Sequence, residues 1–184
     1  MQVQNGRMPA DTSRLSFRDL DEGDLPALRA ILQDPDAMVA YEGPFDDEEV
    51  RTWLVRQQDR YRTGLGLRAV VLRESGEMIG QCGLTIQHIA GADVLEVGYL
   101  FRPSAWHRGY ATEAASAYLA EGFSTRDVDE IHAQVRDINI ASMNVAIRLG
   151  MTVRTRFVKE YRGVTMPHLD FAITRDRFLE LAEA

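Results

Sequence analysis

Several features that mark other classes of protein are scarce or missing in this sequence. It has one cysteine, Cys82, so no disulfide can form within the chain, and a lone thiol suits a reducing cytoplasm. No apolar run approaches the ~20 residues that cross a bilayer, and residues 1–10 lack the apolar stretch of a signal peptide. The formal net charge of -7 argues against a non-specific nucleic-acid binder. We therefore predict a cytoplasmic protein whose partner is neither a membrane nor a nucleic acid.

Metal-ligand and serine-nucleophile patterns are also missing. The histidines are His88, His107, His132 and His168, and none has metal-ligand spacing to another or to Cys82. No serine stands in a glycine-flanked nucleophile elbow. The sequence therefore predicts that no metal takes part.

The remaining composition is that of one globular domain. Hydrophobic residues make up 45% and charged residues 27%, and 184 residues are enough to bury a sizeable core. Only one lysine, Lys159, occurs among the basic residues, which we interpret as genomic composition. Residues 1–13 predict a flexible N-terminal tail, and residues 14–184 predict a single domain. Hydrophobic periodicity predicts the element order βααβββαβαββ, an α/β (α+β) fold.

One stretch, Leu95 to Ala115, stands out. Its first part, Leu95 to Phe101, predicts a buried strand, and an alanine-rich run after Gly109 predicts the start of a helix. A strand, a short glycine-containing turn and a helix N-terminus form the geometry of an anion site, because the first helical amides have no intrahelical partner. Gly109 and Ala111 would permit close approach of a phosphate.

The turn resembles the pyrophosphate loop with which GNAT N-acetyltransferases bind acetyl-CoA, written Q/R-x-x-G-x-G/A. Gly109 and Ala111 fill the small-residue positions, and Trp106 replaces the usual Gln or Arg. The wording GYATEA is closest to the branch of the ribosomal-protein N-terminal acetyltransferases (RimJ/RimL-like), in which Trp is common at that position.

Two further motifs follow in the family's order. Residues 139–151, from Asn139 and Ser142 to Leu149-Gly150-Met151, resemble the N-x-x-S…LG-F/M helix beside the cofactor cleft. Residues 169–176 resemble the branch's last strand and its T-R-D/E exit. Asn139 alone would more often be only a helix N-cap.

The resemblance implies a single-domain fold with a mixed, mostly antiparallel sheet of about seven strands and about four flanking helices. It also implies an acetyl-CoA-dependent N-acetyltransferase that moves an acetyl group directly to a primary amine. The amine acceptor is a protein N-terminus or a small molecule, and a homodimer is the expected assembly.

The resemblance also implies a set of cofactor-binding residues. A bulge at Gly98 is expected to splay the Leu95 strand, so that its backbone pairs with the pantetheine arm. Amides of the loop are expected to take the pyrophosphate, and Asn139 to reach the pantetheine. The residues concerned are Tyr99, Leu100, Phe101, His107, Arg108, Gly109, Tyr110, Ala111, Thr112, Asn139 and Ser142.

The resemblance identifies the catalytic groups less directly than the cofactor-binding residues. Gln134 and Ala146 occupy the positions at which some relatives have a catalytic Glu and a Tyr acid. Glu96 remains as a candidate base, directly or through water, with a purely structural role as the equal alternative. Ser142 is a candidate hydrogen-bond donor to the sulfur, or an ordinary surface serine. Tyr99 is a weaker acid candidate, since strand alternation turns it away from Glu96.

The acceptor pocket is expected from the segment that varies among relatives. Tyr41, Glu42 and Trp53 lie in it, and the acidic run Asp46 to Glu49 favours a cationic acceptor. A second function stays open: a catalytically weak acyl-CoA-binding module that acts as a sensor or scaffold. The missing Glu and Tyr are the features that keep it in play.

Overall fold

A computed structural model describes residues 8–89, 91–161 and 163–183, and residues 1–7 of the predicted tail lie outside it. Within these residues the strands are β1 Leu15–Arg18, β2 Gly66–Leu72, β3 Met78–Ile89, β4 Ala92–Phe101, β5 Glu130–Arg136, β6 Thr152–Tyr161 and β7 Val164–Thr174. The helices are α1 Leu25–Leu32, α2 Asp47–Tyr61, α3 Tyr110–Thr125, α4 Ile140–Arg148 and α5 Arg175–Ala182. Short 3-10 turns at Glu22–Asp24 and Pro103–Ala105 precede α1 and the loop before α3.

Local sequence signals determine where helices begin and end. The Asp46 carboxylate accepts a hydrogen bond from the Glu49 amide at 2.8 Å, and the Glu49 carboxylate accepts one from the Asp46 amide at 2.9 Å. This reciprocal capping box starts α2. Gly150 follows α4 with φ 82°, as predicted for a C′ residue, because a residue without Cβ tolerates the left-handed conformation.

The strands form one mixed sheet in the order β1-β2-β3-β4-β5-β7-β6. All its neighbouring pairs are antiparallel except β4 and β5, which run parallel. The β3–β4 ladder is continuous, with Gly83 opposite Gly98, so the expected bulge at Gly98 is wrong for this ladder. The strands separate on the other side: in the described structure, β4 and β5 share one paired position, Glu96 with His132.

Helices pack on both faces of the sheet. One core joins α3 and α4 to apolar residues of the central strands, and Tyr118 is the largest side chain fully buried in it. A second core joins α1 and α2 to β2 and the start of β3. Since Val97, Ala133 and Phe171 point into the first core, alternation directs their polar strand neighbours to the opposite face.

The predicted fold class is confirmed. The element order matches the expectation, and five α-helices stand where about four were expected, because the C-terminal amphipathic segment forms α5. Residues 12 and 13 of the predicted tail contact the domain, since Thr12 Oγ1 donates to Glu113 Oε1 at 2.5 Å and Ser13 Oγ donates to the same oxygen at 3.4 Å. Among the described helices, none has the length and apolar character that a membrane-spanning segment needs.

Candidate active site

A cleft of about 670 Å³ opens where β4 and β5 separate. Because only Glu96 and His132 pair across these strands in the described structure, the backbone of β4 beyond Glu96 has no strand partner on the β5 side. Side chains from α2, the start of α4 and the β6–β7 pair form the walls. The predicted site residues that line the cleft are Tyr41, Glu42, Trp53, Glu96, Tyr99, Leu100, Asn139 and Ser142.

Glu96 lies where the two strands part. Its carboxylate accepts a hydrogen bond from the backbone amide of Gln134, whereas Oε2 is buried with no hydrogen-bond partner among the described residues. Burial raises the pKa of Glu96 to about 7; the charge of Lys159 opposes the shift, and the Asp170 carboxylate adds to it. A carboxyl group that titrates near neutral pH is suited to accept a proton from a substrate.

A histidine–aspartate pair lies beside Glu96 on the same face of the sheet. His132 Nδ1 is 3.0 Å and 3.1 Å from the two carboxylate oxygens of Asp170. The His132 and Asp170 side chains are only 14% and 4% exposed. The contact fixes the orientation of the imidazole, and both groups act electrostatically on Glu96.

Basic side chains that sequence reasoning did not assign to a site also line the cleft. They are Arg56, Arg60, Arg136, Lys159 and His168. Burial lowers the pKa of the Lys159 ammonium group, and the Glu96 carboxylate opposes that shift. Burial also lowers the pKa of His168. The cleft thus combines a carboxyl group of raised pKa with amine and imidazole groups of lowered pKa.

Tyr99 connects β4 to α4 across the opening. Its hydroxyl donates to the Ser142 carbonyl at 3.1 Å. Tyr99 packs against the α3 side of the sheet, consistent with the alternation that separates it from Glu96. The Asn139 side chain accepts from the Ser142 amide at 3.0 Å, so it caps α4 as well as lining the cleft.

Three aromatic rings form one wall of the cleft. Tyr41, Phe45 and Trp53 meet edge to face, with centroids 5.8–6.4 Å apart. Trp53 Nε1 donates to Gln81 Oε1 at 2.9 Å, which fixes its ring. The predicted pocket residues Tyr41 and Trp53 therefore belong to one cluster, with Glu42 beside it.

The predicted anion loop lies outside the residues that line the cleft and has an unusual backbone. His107 and Gly109 adopt φ 59° and φ 79°, and Gly109 is the N-cap of α3 without any side-chain cap. His107, Arg108 and Gly109 are exposed, and Tyr110, Ala111 and Thr112 form the first helical positions. Alternating left-handed residues before an uncapped helix leave amides available to an anion.

Arg14, the residue immediately before β1, braces this loop. Its Nε donates to Glu113 Oε2 at 2.7 Å and its Nη1 to the Arg108 carbonyl at 2.9 Å. The guanidinium carbon also lies 4.6 Å from the centroid of the Tyr110 ring. These contacts hold the loop and the first turn of α3 together.

Trp106 supports the loop from its other end. Its Nε1 donates to the Phe101 carbonyl at 2.8 Å, and the Phe101 side chain is buried. The resemblance assigned the backbone of Phe101 to pantetheine. In the structure, the Phe101 carbonyl is engaged by Trp106, the residue that replaces the family's Gln or Arg.

Sequence reasoning missed the residues that surround Glu96. Lys159, His168 and Asp170 are distant from it in sequence, and only the pairing of β5, β7 and β6 brings them to the same face. Strand alternation was the available signal, but it required the strand order. Within the described residues, no group of three or more His, Cys, Asp or Glu side chains is placed to hold a metal ion.

Comparison with known proteins identifies the family. The family model described as the acetyltransferase (GNAT) domain matches residues 14–152. The uncharacterized protein YkkB of Bacillus subtilis is 35% identical over 150 residues, which cover 80% of this chain and 87% of YkkB.

Solved structures agree with this match. A GNAT-family acetyltransferase of Bacillus anthracis superposes with a TM-score of 0.78 at 25% identity, covering 92% of this chain and 99% of that one. RimL, a ribosomal L7/L12 alpha-N-protein acetyltransferase solved in complex with coenzyme A, shares the fold at 21% identity. Its TM-score is 0.73, with 93% of this chain and 99% of RimL covered. The chain therefore belongs to the GNAT acetyltransferases and is an acyltransferase.

Proposed function

We propose that the protein transfers an acetyl group from acetyl-CoA directly to a primary amine, with Glu96 as the base. The observation that carries the proposal is the separation of β4 from β5 at Glu96. In the described structure, it places a carboxylate whose Oε2 is buried without a hydrogen-bond partner beside a backbone edge of β4 that no strand pairs with. That combination offers a place for an extended ligand and a proton acceptor at one point.

The residues present fit acetyl-CoA. The free edge of β4 at Tyr99 and Leu100 offers amides and carbonyls to an extended pantetheine arm, as a missing strand would. The left-handed loop at His107–Gly109 and the first amides of α3 offer donors to a pyrophosphate. When bound, acetyl-CoA supplies the activated acetyl group of the reaction.

Glu96 would take the proton that the acceptor ammonium loses. Its pKa of about 7 lets the carboxylate form be substantially populated at neutral pH while it stays basic enough to accept a proton. Gln134, in the position of some relatives' catalytic Glu, has no proton-accepting group. Its side-chain amide is buried with no hydrogen-bond partner in the described structure, and its backbone amide instead holds Glu96.

Ser142 is proposed to hold a proton at Oγ toward the departing sulfur, with Tyr99 positioning it. The Tyr99 hydroxyl donates to the carbonyl of Ser142 and so holds the first turn of α4. Burial raises the pKa of Tyr99, so its phenol keeps its proton at neutral pH. The acceptor would lie against the wall formed by Tyr41, Glu42 and Trp53.

The test is release of free thiol from acetyl-CoA in the presence of peptide N-termini and small amines, with mass spectrometry of the acetylated product. Calorimetry measures coenzyme A binding in the same preparations. Coenzyme A binding together with amine-dependent thiol release supports the proposal. Tight binding with no release for any amine contradicts it and favours an acyl-CoA-binding sensor or scaffold.

A further inference from the structure

The cleft is lined by charges of both signs: Glu42, Glu48 and Glu96 are among its carboxylates, and several basic side chains face them. Arg56, Arg60 and Lys159 all line it, and within the described residues none of them forms an ion pair with a carboxylate. Arg60 Nη1 reaches Gln57 Oε1 at 3.5 Å, the outer limit of a hydrogen bond. Arg56 and Arg60 are one helical turn apart on α2, and the charge of Arg56 adds to the burial that lowers the pKa of Arg60.

Among these cations, Lys159 has the clearest need for an anionic partner. It is the sole lysine of the chain, it is half-buried, and its ammonium nitrogen lies 5.9 Å from the centroid of the Phe157 ring. A desolvated ammonium is costly unless an anion accompanies it. Glu96 is the carboxylate whose charge it feels, yet Glu96 forms no ion pair with it within 4 Å in the described structure.

Three acidic residues at the start of α2 have partners of their own. Asp46 and Glu49 form the capping box of α2, and Asp47 accepts from Arg29 and Gln33 at 2.9 Å. Three residues of the acidic run that suggested a cationic acceptor are thus engaged at the start of α2, whereas Glu48 lines the cleft. The cleft therefore presents both basic groups and carboxylates to whatever enters it.

We propose that the acceptor is an amine that also carries an anionic group, carboxylate or phosphonate, and that Lys159 and Arg60 bind this anion while the amine faces Glu96. This inference rests on the proposed function. The opposite charges of the site then match the opposite charges of one amphoteric molecule, and a purely cationic amine would meet like charge at Lys159 and Arg60.

The probes are α-amino acids, the corresponding α-amides, and 1-aminoalkylphosphonates. An amide keeps the amine and side chain but lacks the anion, and it imitates a peptide N-terminus. Thiol release gives kcat/KM for each probe, and calorimetry on the protein saturated with coenzyme A gives each affinity without turnover. The variants are Lys159→Met, the charge-conserving Lys159→Arg, and Arg51→Met as a control on the exposed face of α2.

Wild-type protein should prefer the acids over their amides by roughly 10- to 100-fold, the usual worth of a hydrogen bond to a charged group. Lys159→Met should abolish most of that preference by weakening the acids alone, while Lys159→Arg and Arg51→Met retain it. Preference for carboxylate or for phosphonate identifies which anion the site takes.

Equal use of acids and amides by the wild type, or an unchanged ratio in Lys159→Met, overturns the inference. Failure of every amine to release thiol would overturn the proposed function instead. The calorimetric ratio of acid to amide then still decides whether an anion is bound.

Discussion

Glu96 and His132 form the one paired position between β4 and β5 in the described part of the chain. At this pair the two strands meet, and beyond it they diverge around the cleft. The residue that ends the pairing is therefore also the proposed base. Its environment comes from three strands, because His132 bonds Asp170 on β7 and Gln134 holds the Glu96 carboxylate from β5.

Replacing Gly109 with Val should weaken coenzyme A binding strongly. Gly109 is left-handed at φ 79°, a conformation that a β-branched residue rarely adopts, so the loop would have to reorganise. An added Cβ would meet only Arg14 Nη2 at 3.4 Å, so the effect is one of backbone conformation more than crowding. Calorimetry with coenzyme A measures it.

Gly76→Val is the matched control for that substitution. Gly76 has φ 72° in the turn between β2 and β3, with open space around its Cβ position. The Gly76→Val variant should lose about as much stability as Gly109→Val but keep its affinity for coenzyme A. Equal affinities in the wild type and Gly109→Val would refute the assignment of the pyrophosphate to this loop.

Tyr99→Phe should cost about 1 kcal/mol of unfolding free energy, because the hydroxyl bridge to the Ser142 carbonyl is lost. If Tyr99 only positions Ser142, the kcat of Tyr99→Phe should fall less than about tenfold, and the kcat of Ser142→Ala should fall by a similar amount. Denaturant unfolding and steady-state kinetics check both. A loss in kcat of about 100-fold or more, which is in the range of general acid catalysis, would assign Tyr99 itself as the acid.

Glu96→Gln should stabilise the protein at alkaline pH. The pKa of Glu96 is raised from 4.5 to about 7 in the folded chain, so its contribution to stability is fully present below pH 4.5 and is lost as pH rises through 7. Glutamine has no charge to bury, and the variant should gain about 1–3 kcal/mol over wild type between pH 5 and pH 8. Glu160→Gln, an exposed change on β6, should show no such pH dependence.

The measurement for that prediction is the free energy of unfolding in urea at pH 5 and at pH 8. A difference between Glu96→Gln and wild type that stays constant across this range would show that the Glu96 carboxyl titrates at its ordinary pKa.

The sequence predicted those parts of the molecule that depend on local order. Gly109 before an alanine-rich run correctly indicated a helix start, and Gly150 correctly indicated a helix end, because both follow from backbone conformation. The position of Glu96 on a strand was also predicted correctly. These features need only neighbouring residues for their interpretation.

The parts that depend on strand order could not be predicted in the same way. Lys159 was interpreted as composition, since nothing near it in sequence indicates that β6 joins β7 at the sheet edge and turns it toward Glu96. The expected bulge at Gly98 was wrong because the opening forms through loss of pairing with β5, which is a property of the whole sheet.

The most direct test of the proposed chemistry is the pH–rate profile of Glu96→Gln beside those of the wild type and Glu160→Gln. If Glu96 is the base, wild-type kcat should rise through pH 7, where the carboxylate forms, and Glu160→Gln should behave in the same way. In Glu96→Gln, kcat should fall by roughly 10²–10⁴-fold and the rise near pH 7 should disappear, while coenzyme A affinity is retained. Near-normal turnover with the same rise through pH 7 in Glu96→Gln would contradict this and make the carboxylate a structural group.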